Sequence, residues 1–160
     1  MSCIYYYTKK DNLPIYLKYG IRLSKNFDIE VNISGYKKPF LKGFLNPRDD
    51  MKMYDSEEYV CLKLELLNNH CKVIDSSFLN DLNEVHDFIP LENYVFGTYK
   101  NPIILIDTSV ISDKISIYNK IIDIPLLYDN SEEFFYEVEV QKMLSNMSNK
   151  EVYDILKNFT

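Results

Sequence analysis

Two glutamates separated by one residue are the first feature of this sequence that suggests chemistry. Glu137 and Glu139 lie in the segment 134–141, Phe-Phe-Tyr-Glu-Val-Glu-Val-Gln, in which apolar and acidic side chains alternate. This alternation predicts a β-strand with both carboxylates on one face. Aligned carboxylates repel each other and concentrate strong hydrogen-bond acceptors at one point, as an acid–base or charge-stabilising site requires. The alternative is an amphipathic edge strand whose acids are solvated.

Arg48 is the second candidate, because it follows Pro47 in a predicted turn that continues into Asp49 and Asp50. Its planar guanidinium group suits a pyrophosphate or a polarised acceptor base. The alternative is a surface arginine that forms an ion pair with one of the two neighbouring aspartates.

The sequence pattern predicts the helices and strands that must position these residues. We expect them to form one α+β domain over residues 1–160, with mostly antiparallel strands and short helices. Residues 59–66 alternate as a half-buried strand does, and 71–74 is predicted to be its hairpin partner. Further strands are predicted at 4–8 and 103–106, and helices at 12–19, ended by Gly20, and from Ser148 onward.

Composition limits the partners. The net charge is −6 and the sequence pI is about 4.9, which argues against a protein that binds nucleic acid mainly through phosphates. Basic residues are nevertheless concentrated between Lys9 and Arg48, which leaves room for one basic cleft.

Three cysteines without metal-ligand spacing predict reduced thiols and no metal site. With no signal-like or membrane-spanning apolar run, we expect a soluble, cytoplasmic protein that makes no membrane contact.

Three segments, taken in order, carry a resemblance to a known family. Residues 4–13, Ile-Tyr-Tyr-Tyr-Thr-Lys-Lys-Asp-Asn-Leu, followed by Gly20, look like the opening strand and helix of the DarT group of ADP-ribosyltransferase toxins. Residues 44–54, Phe-Leu-Asn-Pro-Arg-Asp-Asp-Met-Lys-Met-Tyr, are similar to its Pro-Arg-x-x-Met segment. The Glu-Val-Glu-Val at 137–140 is similar to its late Gln-Ala-Glu strand. Together the three matches cover about 135 residues in the family's order.

The resemblance implies an ADP-ribosyltransferase-like fold with a split, mostly antiparallel sheet, and NAD as a substrate. Its implied acceptor is a nucleic acid base, single-stranded DNA first, or a protein side chain, and its implied partner is an antitoxin. Glu139 would stabilise the cation-like transition state, and Glu137 would orient or deprotonate the acceptor. Arg48 would act with these two catalytic residues. The implied NAD-binding residues are Tyr6, Thr8, Lys9, Asn12 and Arg48.

The sequence departs from the DarT pattern at three of these positions. Tyr6 and Lys9 stand where the family has histidines, and Glu137 stands where it has glutamine. We expect Arg48, Glu139 and Tyr6 to converge on one cleft. Two other functions remain open: a non-catalytic binding or regulatory module that retains the fold, and a relative of RNA 2′-phosphotransferases.

Overall fold

The computed structural model describes residues 1–80, 88–123 and 129–157, and it has the predicted α+β composition, with antiparallel sheets and short helices. The strands are β1 Ser2–Lys9, β2 Ile29–Ile33, β3 Tyr36–Gly43, β4 Tyr59–Leu66, β5 Cys71–Asp75, β6 Ile89–Pro90, β7 Pro102–Ile106 and β8 Ile115–Ile117. The helices are α1 Leu13–Tyr19, α2 Leu23–Asn26, α3 Met51–Asp55, α4 Ser131–Ser145 and α5 Asn149–Lys157.

The described strands form two sheets. One has the order β1-β4-β8, and the other has the order β2-β3-β7-β5-β6, with every pair antiparallel. The sheets meet where β1 passes the end of β3: Tyr5 N–H donates to the Phe44 carbonyl at 3.0 Å, and Phe44 N–H donates to the Tyr5 carbonyl at 2.8 Å. A Cβ on Gly43 would lie 2.4 Å from Ile4 Cγ2, so glycine permits this close approach.

The core lies on both faces of β1 and β7. Ile4 and Tyr6 belong to one buried cluster, while Tyr7 belongs to the other. All five residues of β7 are buried, and its alternate side chains enter the two clusters. Burial on both faces explains why residues 103–106 are a continuous apolar run rather than an alternating one.

Several predicted elements are confirmed. The strand predicted at 59–66 has the same bounds as β4, and Leu62 and Leu64 are fully buried. The first helix ends at Gly20, whose φ of 81° is a conformation that glycine adopts without strain. The helix predicted from Ser148 onward is α5, Asn149–Lys157, and Ser148 Oγ caps it by accepting a hydrogen bond from Glu151 N–H at 3.2 Å.

The hairpin prediction for 71–74 is wrong. This segment is a strand, but β5 pairs with β6 and β7 in the larger sheet, whereas β4 pairs with β1 and β8 in the smaller one. A short polar connection is compatible with either arrangement, and the buried faces of β5 and β7 select the second.

The strand predicted over 134–141 is also wrong, because these residues lie inside α4. Asn130 Oδ1 accepts a hydrogen bond from Glu133 N–H at 2.8 Å and so caps the helix. The less exposed side chains recur at helical spacing: Ser131, Phe134, Phe135 and Val138. The period of 3.6 residues therefore prevails over the apparent period of two.

With 15 residues, α4 is the longest helix in the described part of the chain, and none of the described helices has the length and apolarity needed to cross a membrane.

Candidate functional site

A polar cluster forms where β1 runs into α1. Asn12 Nδ2 donates to Thr8 Oγ1 at 3.1 Å, and the Tyr6 hydroxyl donates to Asp28 Oδ1 at 3.3 Å. Tyr6 and Thr8 are buried on the same face of β1, because they are two residues apart. The structure therefore brings together three of the predicted NAD-binding residues. Lys9 is exposed and lies on the opposite face of the strand.

Asp28 connects this cluster to β3. Its Oδ2 accepts the Lys42 backbone N–H at 2.9 Å, while its other oxygen accepts from Tyr6. Asp28 is exposed by surface area, but partial desolvation of its carboxyl raises its pKa, and the hydrogen bonds from Lys42 and Tyr6 act in the opposite direction. The pKa of Tyr6 is raised as well, first by burial and then by the Asp28 charge. The Tyr6 hydroxyl therefore remains a neutral donor at physiological pH.

Arg48 lies in a tight turn that follows β3. Asn46 Oδ1 accepts its backbone N–H at 2.9 Å, and its guanidinium group lies 5.4 Å from the centre of the Tyr54 ring. Its ion pair is with Asp129, at 3.0 Å between Nη1 and Oδ1, rather than with either neighbouring aspartate. Asp49 accepts hydrogen bonds from Ser131 instead, and Asp50 caps α3.

Tyr7 joins β1 to the Arg48 turn. Its hydroxyl donates to the Pro47 carbonyl, and its ring packs edge-on against Phe44 with centroids 6.1 Å apart. Burial raises the pKa of Tyr7, which keeps this donor protonated. The first two segments of the DarT resemblance are thus in direct contact.

A cavity of about 320 Å³ opens beside this turn. Its walls come from the end of β3, the Arg48 turn, the residues before β7 and the first turn of α4. Its charged lining residues are Lys42, Arg48, Lys100, Asp49, Asp50 and Glu132. The volume is at the lower end of the range for ligand sites, and cationic side chains next to hydrogen-bond acceptors suit a phosphorylated ligand.

Glu137 and Glu139 do not belong to the described lining of this cavity. Both side chains are exposed on α4, and Glu139 Oε1 lies 3.6 Å from Lys142 Nζ, one turn further along the helix. Positions two apart on a helix point about 200° away from each other, so the predicted alignment of the two carboxylates is wrong. Tyr6 is also absent from the lining, so the expected convergence of Arg48, Glu139 and Tyr6 on one cleft is not found among the described residues.

Sequence reasoning did not single out four residues that the fold brings to the site: Asp28, Lys42, Lys100 and Glu132. Lys42 lies in the basic segment from Lys9 to Arg48, and the helix that carries Glu132 also has a sequence signal. Asn130 and Glu133 have the spacing of a helix cap, with acidic residues in the first turn, which predicts a helix start at this position.

Comparisons of this chain with family models, with curated proteins and with solved structures found no match. The resemblance to DarT toxins therefore depends on the sequence segments alone.

Proposed function

We propose that this chain is an NAD-dependent ADP-ribosyltransferase with an ADP-ribosyltransferase-like split sheet, similar to the DarT toxins. It transfers ADP-ribose to a nucleic acid base, with DNA the preferred acceptor, or to a protein side chain. The observation that carries the proposal is the hydrogen bond from the Tyr7 hydroxyl to the Pro47 carbonyl. Through it, the opening strand and the Pro-Arg turn, 40 residues apart in sequence, are in direct contact, which supports a role for both segments around one site.

The cavity next to Arg48 is the proposed NAD-binding site. Arg48, Lys42 and Lys100 line it beside Asp49, Asp50 and Glu132, so the cationic groups can contact a pyrophosphate while the carboxylates accept hydrogen bonds from ribose hydroxyls. The polar cluster of Tyr6, Thr8 and Asn12 is connected to the cavity through Asp28 and the Lys42 backbone. In this proposal the cluster acts through Asp28, which fixes the Lys42 backbone at the edge of the NAD site.

Glu132 takes the role that the sequence assigned to Glu139. It lines the cavity, and its carboxylate lies 3.9 Å from Lys100 Nζ. During transfer the bond between nicotinamide and the ribose C1′ breaks, nicotinamide leaves with the bonding electron pair, and the acceptor nucleophile bonds to C1′ and loses a proton. A carboxylate near the ribose stabilises the positive charge that develops in between.

The test is release of nicotinamide from labelled NAD, with single-stranded DNA and cell lysate offered as separate acceptors. We expect Arg48→Ala and Glu132→Gln to lower turnover by about 10²- to 10⁴-fold. Glu139→Gln makes the same chemical change on the same helix outside the cavity, so we expect it to retain turnover. Loss of turnover in Glu139→Gln but not in Glu132→Gln would restore the role predicted from the sequence and overturn the assignment of Glu132.

The second candidate is a non-catalytic binding or regulatory module that retains this fold. Its specific support is the exposed position of Glu137 and Glu139 on α4, which leaves the site without an aligned pair of glutamates. Calorimetric titration separates the two functions. A module binds NAD, or a partner such as an antitoxin, without releasing nicotinamide in the presence of any acceptor. The enzyme releases it in an Arg48-dependent way.

A further inference from the structure

The first turn of α4 is held against the body of the protein by Asp49. Asp49 Oδ1 accepts the Ser131 backbone N–H at 2.7 Å, and Oδ2 accepts the Ser131 hydroxyl at 2.7 Å. Asp49 is itself fixed by the preceding turn, where its N–H donates to the Asn46 carbonyl at 3.0 Å. The carboxylate thereby satisfies one of the N–H groups that a helix start leaves without an intrahelical partner, at the end where a negative charge is favourable.

Ser131 is the buried residue of α4, at 9% exposure. The ion pair between Lys100 and Glu132 joins two side chains that are nearly half exposed, with 3.9 Å between them, so it contributes little. Most side chains from Glu139 to Ser145 are exposed. Further along the helix, Val138 lies beside Gly97, and Lys100 Nζ lies 5.2 Å from the centre of the Tyr136 ring. The two hydrogen bonds to Asp49 are short and partly buried, and they are the contacts that hold the first turn.

The same turn of α4 forms one wall of the cavity. Asn130, Ser131 and Glu132 line it, as does Asp49 on the facing side. We propose that Asp49 is a positioning residue, which sets the width of the cavity by holding the first turn of α4 in place. The consequence for NAD rests on the proposed function, whereas the attachment of the helix does not.

The protonation state of Asp49 does not decide whether this contact forms. The charged and titratable groups around it are Lys42, Arg48, Asp50, Lys100, Glu132 and Tyr94. Burial raises the pKa of Asp49, and the hydrogen bonds from Ser131 oppose that shift. A neutral carboxyl can still accept from the Ser131 N–H while donating to the hydroxyl. An asparagine offers the same acceptor and donor, so Asp49→Asn should preserve the contact that Asp49→Ala removes.

Amide hydrogen exchange without any nucleotide tests the attachment. We expect Asp49→Ala to accelerate exchange in the segment 129–138 by on the order of tenfold, with the strands β1 and β4 unchanged. Asp50→Ala is the matched control, because Asp50 is the next residue and caps α3 through Met53 N–H at 3.1 Å. It should accelerate exchange at α3 and leave 129–138 at the wild-type rate. Asp49→Asn should also keep the wild-type rate there.

Equal exchange of 129–138 in Asp49→Ala and Asp50→Ala would overturn the proposal, and so would acceleration that extends equally through β1 and β4. A second measurement connects the contact to the cavity. The Kd for NAD should rise in Asp49→Ala and recover in Asp49→Asn. If wild-type protein binds no NAD, the proposed function fails while the exchange result still decides the role of Asp49.

Discussion

β1 carries predicted NAD-binding residues and α4 carries the two predicted catalytic glutamates. The two segments differ in how the rest of the fold holds them. β1 pairs with β4 along its whole length, contacts β3 through Tyr5 and contributes side chains to both core clusters. α4 is attached through its first turn and through Val138, which lies beside Gly97, and its second half is largely exposed. Long-range pairing fixes the position of β1, whereas local capping fixes the conformation of α4. Tyr6 and Thr8 on the more firmly held segment share one buried face, whereas the two glutamates of α4 point away from each other.

The largest difference between the two regions should appear in global stability. Ile4 is 1% exposed and fills the space beside Gly43, so Ile4→Ala should lower the free energy of unfolding by about 2 to 5 kcal/mol. Val140 on α4 is 49% exposed, and Val140→Ala should change the free energy of unfolding by no more than about 0.5 kcal/mol. Urea denaturation measures both.

Ile15→Ala is the control matched in residue type, because Ile15 is 55% exposed on α1. It should behave like Val140→Ala. If Val140→Ala were as costly as Ile4→Ala, α4 would be packed as firmly as β1 and the contrast between them would be lost.

The cap of α4 should have the next largest effect. Replacing Asn130 by alanine removes the acceptor for Glu133 N–H, and such losses cost about 0.5 to 2 kcal/mol. Hydrogen exchange over 131–138 should rise accordingly, and helical circular dichroism should decrease. Gln141→Ala, at an exposed position within the helix, should leave both unchanged. Were residues 134–141 a strand, Asn130→Ala would leave the circular dichroism of the chain unaffected.

The sequence was sufficient to locate an element where a segment carries only one consistent hydrophobic pattern. β4 alternates over eight residues and β7 is uniformly apolar, and both were located correctly. The segment 134–141 carries two periods at once. Phe134, Tyr136 and Val138 alternate, but Phe134, Phe135 and Val138 also share a helix face. Asn130, three residues before Glu133, has the spacing of a helix cap and favours the helix.

The partners in the site could not be predicted in the same way. Lys100 and Glu132 meet only because the chain before β7 and the start of α4 converge on the Arg48 turn. Asp28 becomes a partner of Tyr6 because the chain entering β2 lies beside β3. Neither of these two contacts leaves a local pattern in the sequence, since both depend on how distant segments of the chain pack together.

The pH dependence of stability tests the contact between Asp49 and Ser131, which attaches the start of α4 to the Arg48 turn. Burial raises the pKa of Asp49 in the folded state above its unfolded value. Its contribution to stability is therefore fully present below the unfolded pKa and is lost as the pH rises through the folded pKa. Asp49→Asn stays neutral at every pH, so its unfolding free energy relative to wild type should increase as the pH rises from the unfolded pKa of about 4 through the raised pKa of the folded state.

Urea midpoints measured across this range give the difference. Asp50→Asn serves as the control, because it removes a neighbouring carboxylate that caps a different helix. A wild-type protein that gains stability relative to Asp49→Asn as the pH rises would mean that the hydrogen bonds from Ser131 outweigh burial at Asp49.

The smallest expected effect tests the geometry of the glutamate pair most directly. On α4, Glu139 is exposed and lies one turn from Lys142, so Glu139→Gln removes only a weak ion pair and should change the unfolding free energy by less than about 0.5 kcal/mol. Because salt screens exposed charges, even this change should disappear at 1 M salt. Two glutamates aligned on a strand would behave differently: removing one would relieve repulsion, so Glu137→Gln and Glu139→Gln would each stabilise the protein at low salt. The sign of the change in the Glu139→Gln variant therefore distinguishes a helix with separated acids from a strand with paired ones.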